Sequence, residues 1–112
     1  MTLKEIVEGL GLRALTTHEC EDRQVTGGYT SDLLSDVMAN ARPGNLWITL
    51  QIHQNIVAVA RLKDLAGIVV VNGRRPDDET LRRADAERVA VLGTEDSAFR
   101  VSGRLHRLLG DS

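Results

Sequence analysis

The residues best equipped for chemistry lie in one polar stretch, Asp22-Arg23-Gln24-Val25-Thr26-Gly27-Gly28. Arg23 supplies a guanidinium that can grip phosphate or carboxylate through paired hydrogen bonds, and Thr26 adds a hydroxyl. Gly27 and Gly28 admit positive φ and let a ligand come close to the backbone. Successive N–H groups in such a turn can form a nest for an anion. The same residues also suit an architectural role, with Asp22 and Arg23 pairing to fix the loop while the glycines let the chain pass a neighbouring helix.

Other constellations are weaker. His18 and Cys20 stand two residues apart and could form an activated thiolate, but such a pair needs a third group to orient the base. An inert, partly buried thiol is the plainer reading of Cys20. Asp32 and Asp36 share a helix edge at i, i+4, as paired carboxylates for acid/base work would, and as ordinary solvated acids also do. His18, His53 and His106 are scattered and only one cysteine is present, so no metal-ligand spacing emerges. Neither GxxxxGK[ST] nor GxGxxG occurs. No catalytic residue, metal or cofactor is assigned.

Composition bounds the function. A chain of 112 residues suits one core, so residues 1–112 are expected to form a single domain, and 42% apolar with 27% charged residues is the mixture of a globular protein. A net charge of −2 gives no long-range field for phosphate backbones, which argues against a nucleic-acid partner. One cysteine cannot close an intramolecular disulfide, which favours the cytoplasm. The opening MTLKEIVEGLGL breaks its apolar positions with acids and has no cleavage-site pattern, so no leader is expected. The longest apolar run, residues 56–60, is far short of the roughly 20 needed to span a bilayer. No membrane partner is expected.

The elements that must position these residues follow from periodicity. Leu3, Ile6, Val7 and Leu10 recur at helical spacing behind Thr2 as N-cap, and glycines at 9 and 11 end that helix. A short strand is expected at 12–15, and an irregular loop over 18–29. Leu33, Leu34, Val37, Met38 and Ala41 form the next helical face, with Thr30 or Ser31 as cap and Asp32 in the first turn, and Arg42-Pro43-Gly44-Asn45 stops it. Residues 46–50 (LWITL), 66–71 and 89–92 read as buried strands. Helices are expected over 54–65, from Pro76 onward, and over 96–109 with Phe99, Leu105, Leu108 and Leu109 as contacts. Strand and helix in alternation predict an α/β fold: a three-layer domain with a mainly parallel sheet and helices on both faces.

The pattern DRxxTGG at 22–28, followed by TSDLLSDVMANA, resembles the DRTGG domain family, and the resemblance runs on through GNLWITLQIHQNIVAVARLKDLAGIVVVNGRRP. It implies an α/β module found alone or joined to other domains. In members of the family it accompanies CBS domains in certain inorganic pyrophosphatases, precedes the catalytic domains of some phosphotransacetylases, and is similar to the N-terminal, non-catalytic domain of HPr kinase/phosphorylase. This sequence contains none of those catalytic domains and no kinase P-loop.

In open parallel sheets, ligands sit beyond the carboxyl ends of the strands, here near residues 51–53, 72–75 and 93–94. Should the DRxxTGG loop reach that edge, Thr26, Gly27 and Gly28 would line a phosphate or nucleotide pocket with His53, Asn72 and Arg74, and with Asp22 and Arg23 beside them. His53 is equally a helix-capping or surface histidine. The functional expectation is a non-catalytic regulatory or interaction module that senses a nucleotide or other phosphorylated small molecule. An enzyme acting on a phosphorylated metabolite around His18 and Cys20, and an adaptor docking to a larger enzyme, stay open as alternatives. A homodimer is expected, because Ile56-Val57-Ala58-Val59-Ala60 is apolar around its whole circumference and needs cover, with Trp47 as a neighbouring anchor.

Overall fold

The computed structural model describes residues 1–19 and 22–110, so Cys20 lies outside the described residues. Along the chain run α1 (Leu3–Leu10), β1 (Arg13–Ala14), β2 (Gly27–Thr30), α2 (Leu34–Asn40), β3 (Asn45–Thr49), α3 (Asn55–Leu62), β4 (Gly67–Val70), α4 (Asp78–Glu87), β5 (Val91–Gly93) and α5 (Ala98–Leu109). The strands form one sheet in the order β1-β5-β4-β3-β2. β2 to β5 are parallel, and β1 pairs antiparallel with β5. The α/β class and the mainly parallel sheet are as the periodicity predicts.

Alternation along the strands divides the core. Leu46, Ile48, Val69 and Leu92 face a layer made by α1 and α5, through Leu3, Ile6, Val101 and Leu105. Trp47, Ile68, Val70 and Val91 face the opposite layer, where α2, α3 and α4 contribute Val37, Ile56, Val57 and Ala84. Because the parallel strands lie side by side in sequence order, crossovers of one hand put α2, α3 and α4 on the same face. The other face is covered by the first and last helices.

Local chemistry explains the element ends. Thr2 and Glu5 form a reciprocal capping box at α1, and Gly11 closes that helix at φ 66°. Asn45 turns the chain into β3 by accepting a hydrogen bond from Arg42 N (3.0 Å). Four expectations need correction. Gly27 and Gly28 are not in an irregular loop but begin β2, paired with Asn45 and Leu46. α2 starts at Leu34, after Leu33, so neither Thr30 nor Ser31 caps it. Asp32 stands outside the helix. Its Oδ1 accepts hydrogen bonds from Leu50 N (2.7 Å) and Thr49 Oγ1 (2.9 Å), which joins the chain after β2 to the end of β3.

The third correction concerns Phe99, which makes no core contact and is 88% exposed. The fourth concerns α3. Its neighbours α2 and α4 pack against it, so Val57 is fully buried and Val59 half-buried within the chain itself. Trp47 is likewise enclosed, its Nε1 donating to the Ser31 carbonyl (2.8 Å). The apolar circumference of α3 therefore gives no reason for a dimer. Among the described residues, no helix is long and apolar enough to cross a membrane.

Candidate functional site

The DRxxTGG segment enters the sheet at its amino edge, since it precedes β2. Leu3 N donates to the Arg23 carbonyl (2.8 Å) and Val25 N to the Met1 carbonyl (2.9 Å), strapping the segment beside α1. Thr26 N donates to the Gly44 carbonyl (3.0 Å), and Thr26 Oγ1 donates to the Pro43 carbonyl (2.8 Å) while accepting from Asn45 Nδ2 (3.2 Å). The hydroxyl expected to meet a ligand is thus spent on the turn before β3. Gly28 has a packing reason to be glycine: a Cβ there would stand 2.7 Å from Leu105 Cδ2 of α5. Arg23 donates to the Asp64 carboxylate (2.9 Å) and carbonyl (2.7 Å), not to Asp22, which is exposed. That guanidinium holds the Asp64 carboxyl below its ordinary pKa.

His53, Asn72 and Arg74 stand at the opposite, carboxyl edge. His53 Nδ1 lies 3.2 Å from Asp77 Oδ2, Asn72 N donates to the Asp96 carbonyl (2.9 Å), and Arg74 donates to the Leu50 carbonyl (2.8 Å). The structure places these three at one edge of the sheet, each bonded to a different partner, and Asp22, Arg23 and Thr26 at the other end of the strands. The combined pocket of both groups does not form. A strand length separates them, and the conditional reading that joined them fails because the loop leads into β2 instead of following a strand.

A cleft of about 340 Å³ opens at the amino edge. Arg23, Asp64, Arg61, Glu87, Arg88 and His18 supply its polar lining, and Leu65 and Val89 are among its apolar residues. In a parallel α/β layer this edge receives the C-terminal ends of the crossover helices, whose last carbonyls carry partial negative charge. Cations answer that charge: Arg61 donates to the Glu87 carbonyl (3.1 Å), and Arg23 to that of Asp64. Arg88 terminates α4 in the left-handed region at φ 56°. A guanidinium carries more N–H donors than these bonds use, so Arg23 and Arg61 retain capacity for an anion.

His18 is fixed by Asp85 of α4. Its Nδ1 lies 2.8 Å from Asp85 Oδ1, which also accepts from Thr17 N (2.8 Å) and His18 N (3.1 Å). Partial burial pushes the Asp85 carboxyl up, but these hydrogen bonds outweigh it and bring the pKa down to about 2. Sequence reading paired His18 with Cys20 and missed Asp85, Arg61, Asp64 and Arg88. The signal present was the basic residue in the last turn of α3 and at the end of α4, where cations belong. A smaller cleft of about 160 Å³ lies between β2 and α5, lined by Gly27, Gly28, Ser102 and His106.

With this geometry, the chain is similar to the CBS and DRTGG domains of the regulatory region of Clostridium perfringens pyrophosphatase, a structure solved in complex with the activator diadenosine tetraphosphate. The TM-score is 0.74 at 17% sequence identity. The likeness is one of fold. It covers 93% of this chain and 45% of that one, so this chain spans just under half the length of its structural neighbour. No protein-family model matches the sequence, and no curated protein matches it.

Proposed function

We propose that this chain is a single-domain, non-catalytic regulatory module of the DRTGG type that senses a phosphorylated small molecule, nucleotides among them, in the amino-edge cleft. The observation that carries the reading is the use made of the motif: Arg23 ties the DRxxTGG segment to the turn after α3 and, with Arg61, Arg88 and His18, borders a polar cleft of about 340 Å³. The fold shared with a regulatory region, and the motif that suggested the same family, support it. Thr26, Gly27 and Gly28 serve this site by shaping the loop and its strand, and Asp22 stands exposed beside Arg23. His53, Asn72 and Arg74 belong to the other edge and are not part of it. The cytoplasm is the proposed location, on composition.

A thermal-shift screen against nucleotides and phosphorylated metabolites tests the reading, because a ligand at about 100 times its dissociation constant adds roughly 2.7 kcal/mol of stability. The expected hit raises the melting temperature of the wild type and fails to do so in Arg61→Ala. A hit abolished by Arg74→Ala and untouched by Arg61→Ala would move the site to the carboxyl edge.

We propose further that the module works as a homodimer or against a partner enzyme through the outer face of α5. Phe99 is 88% exposed there, and Gly103 has no neighbour within 4 Å of where a Cβ would stand, so another helix can approach closely. In a two-fold antiparallel contact centred on Gly103, Phe99 of one copy would meet Arg107 of the other, an aromatic–guanidinium pair. Light scattering checks this. Wild type should show twice the monomer mass and Phe99→Glu the monomer mass, whereas a monomeric wild type would overturn the dimer.

A further inference from the structure

We infer that His18 contacts the ligand of the amino-edge cleft, with Asp85 as its positioning residue, and that Nε2 accepts a hydrogen bond from a sugar hydroxyl of the bound molecule. The inference rests on the reading above and narrows it: the ligand carries a hydrogen-bond donor beside its phosphate.

The geometry leads there in three steps. First, an ionised carboxylate only accepts hydrogen bonds, so a ring nitrogen 2.8 Å from Asp85 Oδ1 must carry a proton. In neutral imidazole that leaves Nε2 as an acceptor. Second, the ring cannot easily turn away. Its side chain is only 8% exposed, and Asp85 is itself held by the backbone N–H groups of Thr17 and His18. Third, His18 lines the cleft, and with Nδ1 held by Asp85 the ring's remaining hydrogen-bonding atom is Nε2, to which no described residue supplies a donor. Among the described residues no fully buried side-chain polar atom lacks a partner, so Nε2 is not sealed in the core.

The cleft then offers two unlike functions. Arg23 and Arg61 present donors, suited to phosphate oxygens, while His18, which lines the same cleft, offers a lone pair. A phosphorylated sugar or the ribose of a nucleotide satisfies both. Inorganic phosphate satisfies the arginines alone.

The test compares adenosine 5′-monophosphate, its 2′,3′-dideoxy counterpart and inorganic phosphate by calorimetry on wild type, His18→Phe, His18→Gln and Arg61→Ala. His18→Phe should weaken the hydroxyl-bearing nucleotide about tenfold, the effect of one lost hydrogen bond in a sheltered site, and leave the dideoxy compound unchanged. His18→Gln keeps an acceptor near the Nε2 position and should recover most of the loss. Equal affinity of wild type and His18→Phe, with Arg61→Ala still impaired, would overturn the role of His18 and leave the cleft reading standing. Absence of any binding that depends on Arg61 would remove the cleft reading and this inference together. Nitrogen NMR of ligand-free protein gives an independent check: the proton is expected on Nδ1, becoming mixed between the nitrogens in Asp85→Asn, and a wild-type proton on Nε2 would sink the proposal whatever binds.

Discussion

The two ends of the sheet are built from the same βα units, yet they are finished differently, and the cleft of about 340 Å³ lies at the amino one. At the carboxyl edge the chain knits itself closed: Asp32 binds Leu50 N and Thr49 Oγ1, Thr80 Oγ1 donates to the Ile52 carbonyl, Arg74 to that of Leu50, and Gly73 N to that of Thr94. At the amino edge, long arginine side chains cover the exposed carbonyls of helix ends, and between them space remains. The usual rule that ligands sit beyond the carboxyl ends depends on a crevice formed where strand order reverses. The parallel strands here run β2-β3-β4-β5 without reversal, so the premise of the rule is missing.

Glycine substitutions at the two edges should sharpen this contrast most. Gly44 sits at φ 83°, and a Cβ there would stand 2.7 Å from Thr26 Cγ2, in a side chain held by its own hydrogen bonds. Gly44→Ala should cost about 2–3 kcal/mol in urea denaturation, combining strain with displacement of the DRxxTGG segment. Gly73, at φ 66°, has only the long, exposed Glu95 side chain in its way. Gly73→Ala should cost about 1 kcal/mol, and equal losses at both positions would contradict the tighter build assigned to the Thr26 turn.

A smaller effect separates the edges by pH. Asp85 has a folded pKa of about 2, below its ordinary 3.8, so its contribution is fully present above about pH 4 and is lost as pH falls toward 2. Other carboxyls, Asp36 and Asp64 among them, are lowered too, so acid will weaken the fold in any case. The informative quantity is the difference in melting temperature between wild type and Asp85→Asn, which should shrink across that interval. A constant difference from pH 5 to pH 2 would mean that Asp85 is not held ionised by His18 and Thr17.

How legible this was in the sequence varied with the range of the interactions. Residues 46–50 announced a buried strand because every side chain in them is apolar or β-branched, and β3 is buried at every position. Thr2 and Gly11 announced a helix with both ends capped, because capping is settled within a few residues. The reading of Gly27 and Gly28 failed because what makes glycine necessary at Gly28 is Leu105, far along the chain, and edge pairing with β3 overrides local turn preference. The dimer argument from α3 failed for a similar reason: periodicity shows which face of a helix is apolar but not how many neighbours will cover it. The site was half legible. Arg23 was found from its type, while Arg61 and Arg88 come to line the cleft only through the crossovers, and Asp85 is tied to it only by way of His18.

The division of the core between crossover helices and the pair α1 and α5 carries a consequence for how the molecule is made. The face built by α2, α3 and α4 grows unit by unit, each helix docking against strands already present or next to appear. The face beneath α1 and α5 closes only when the last helix arrives, because its two covers come from opposite ends of the described chain. On a ribosome, Leu46, Ile48, Val69 and Leu92 therefore stay half-roofed until α5 has emerged. That late interval, more than any weakness of the finished fold, is when this sequence is most exposed to misassociation with other nascent chains.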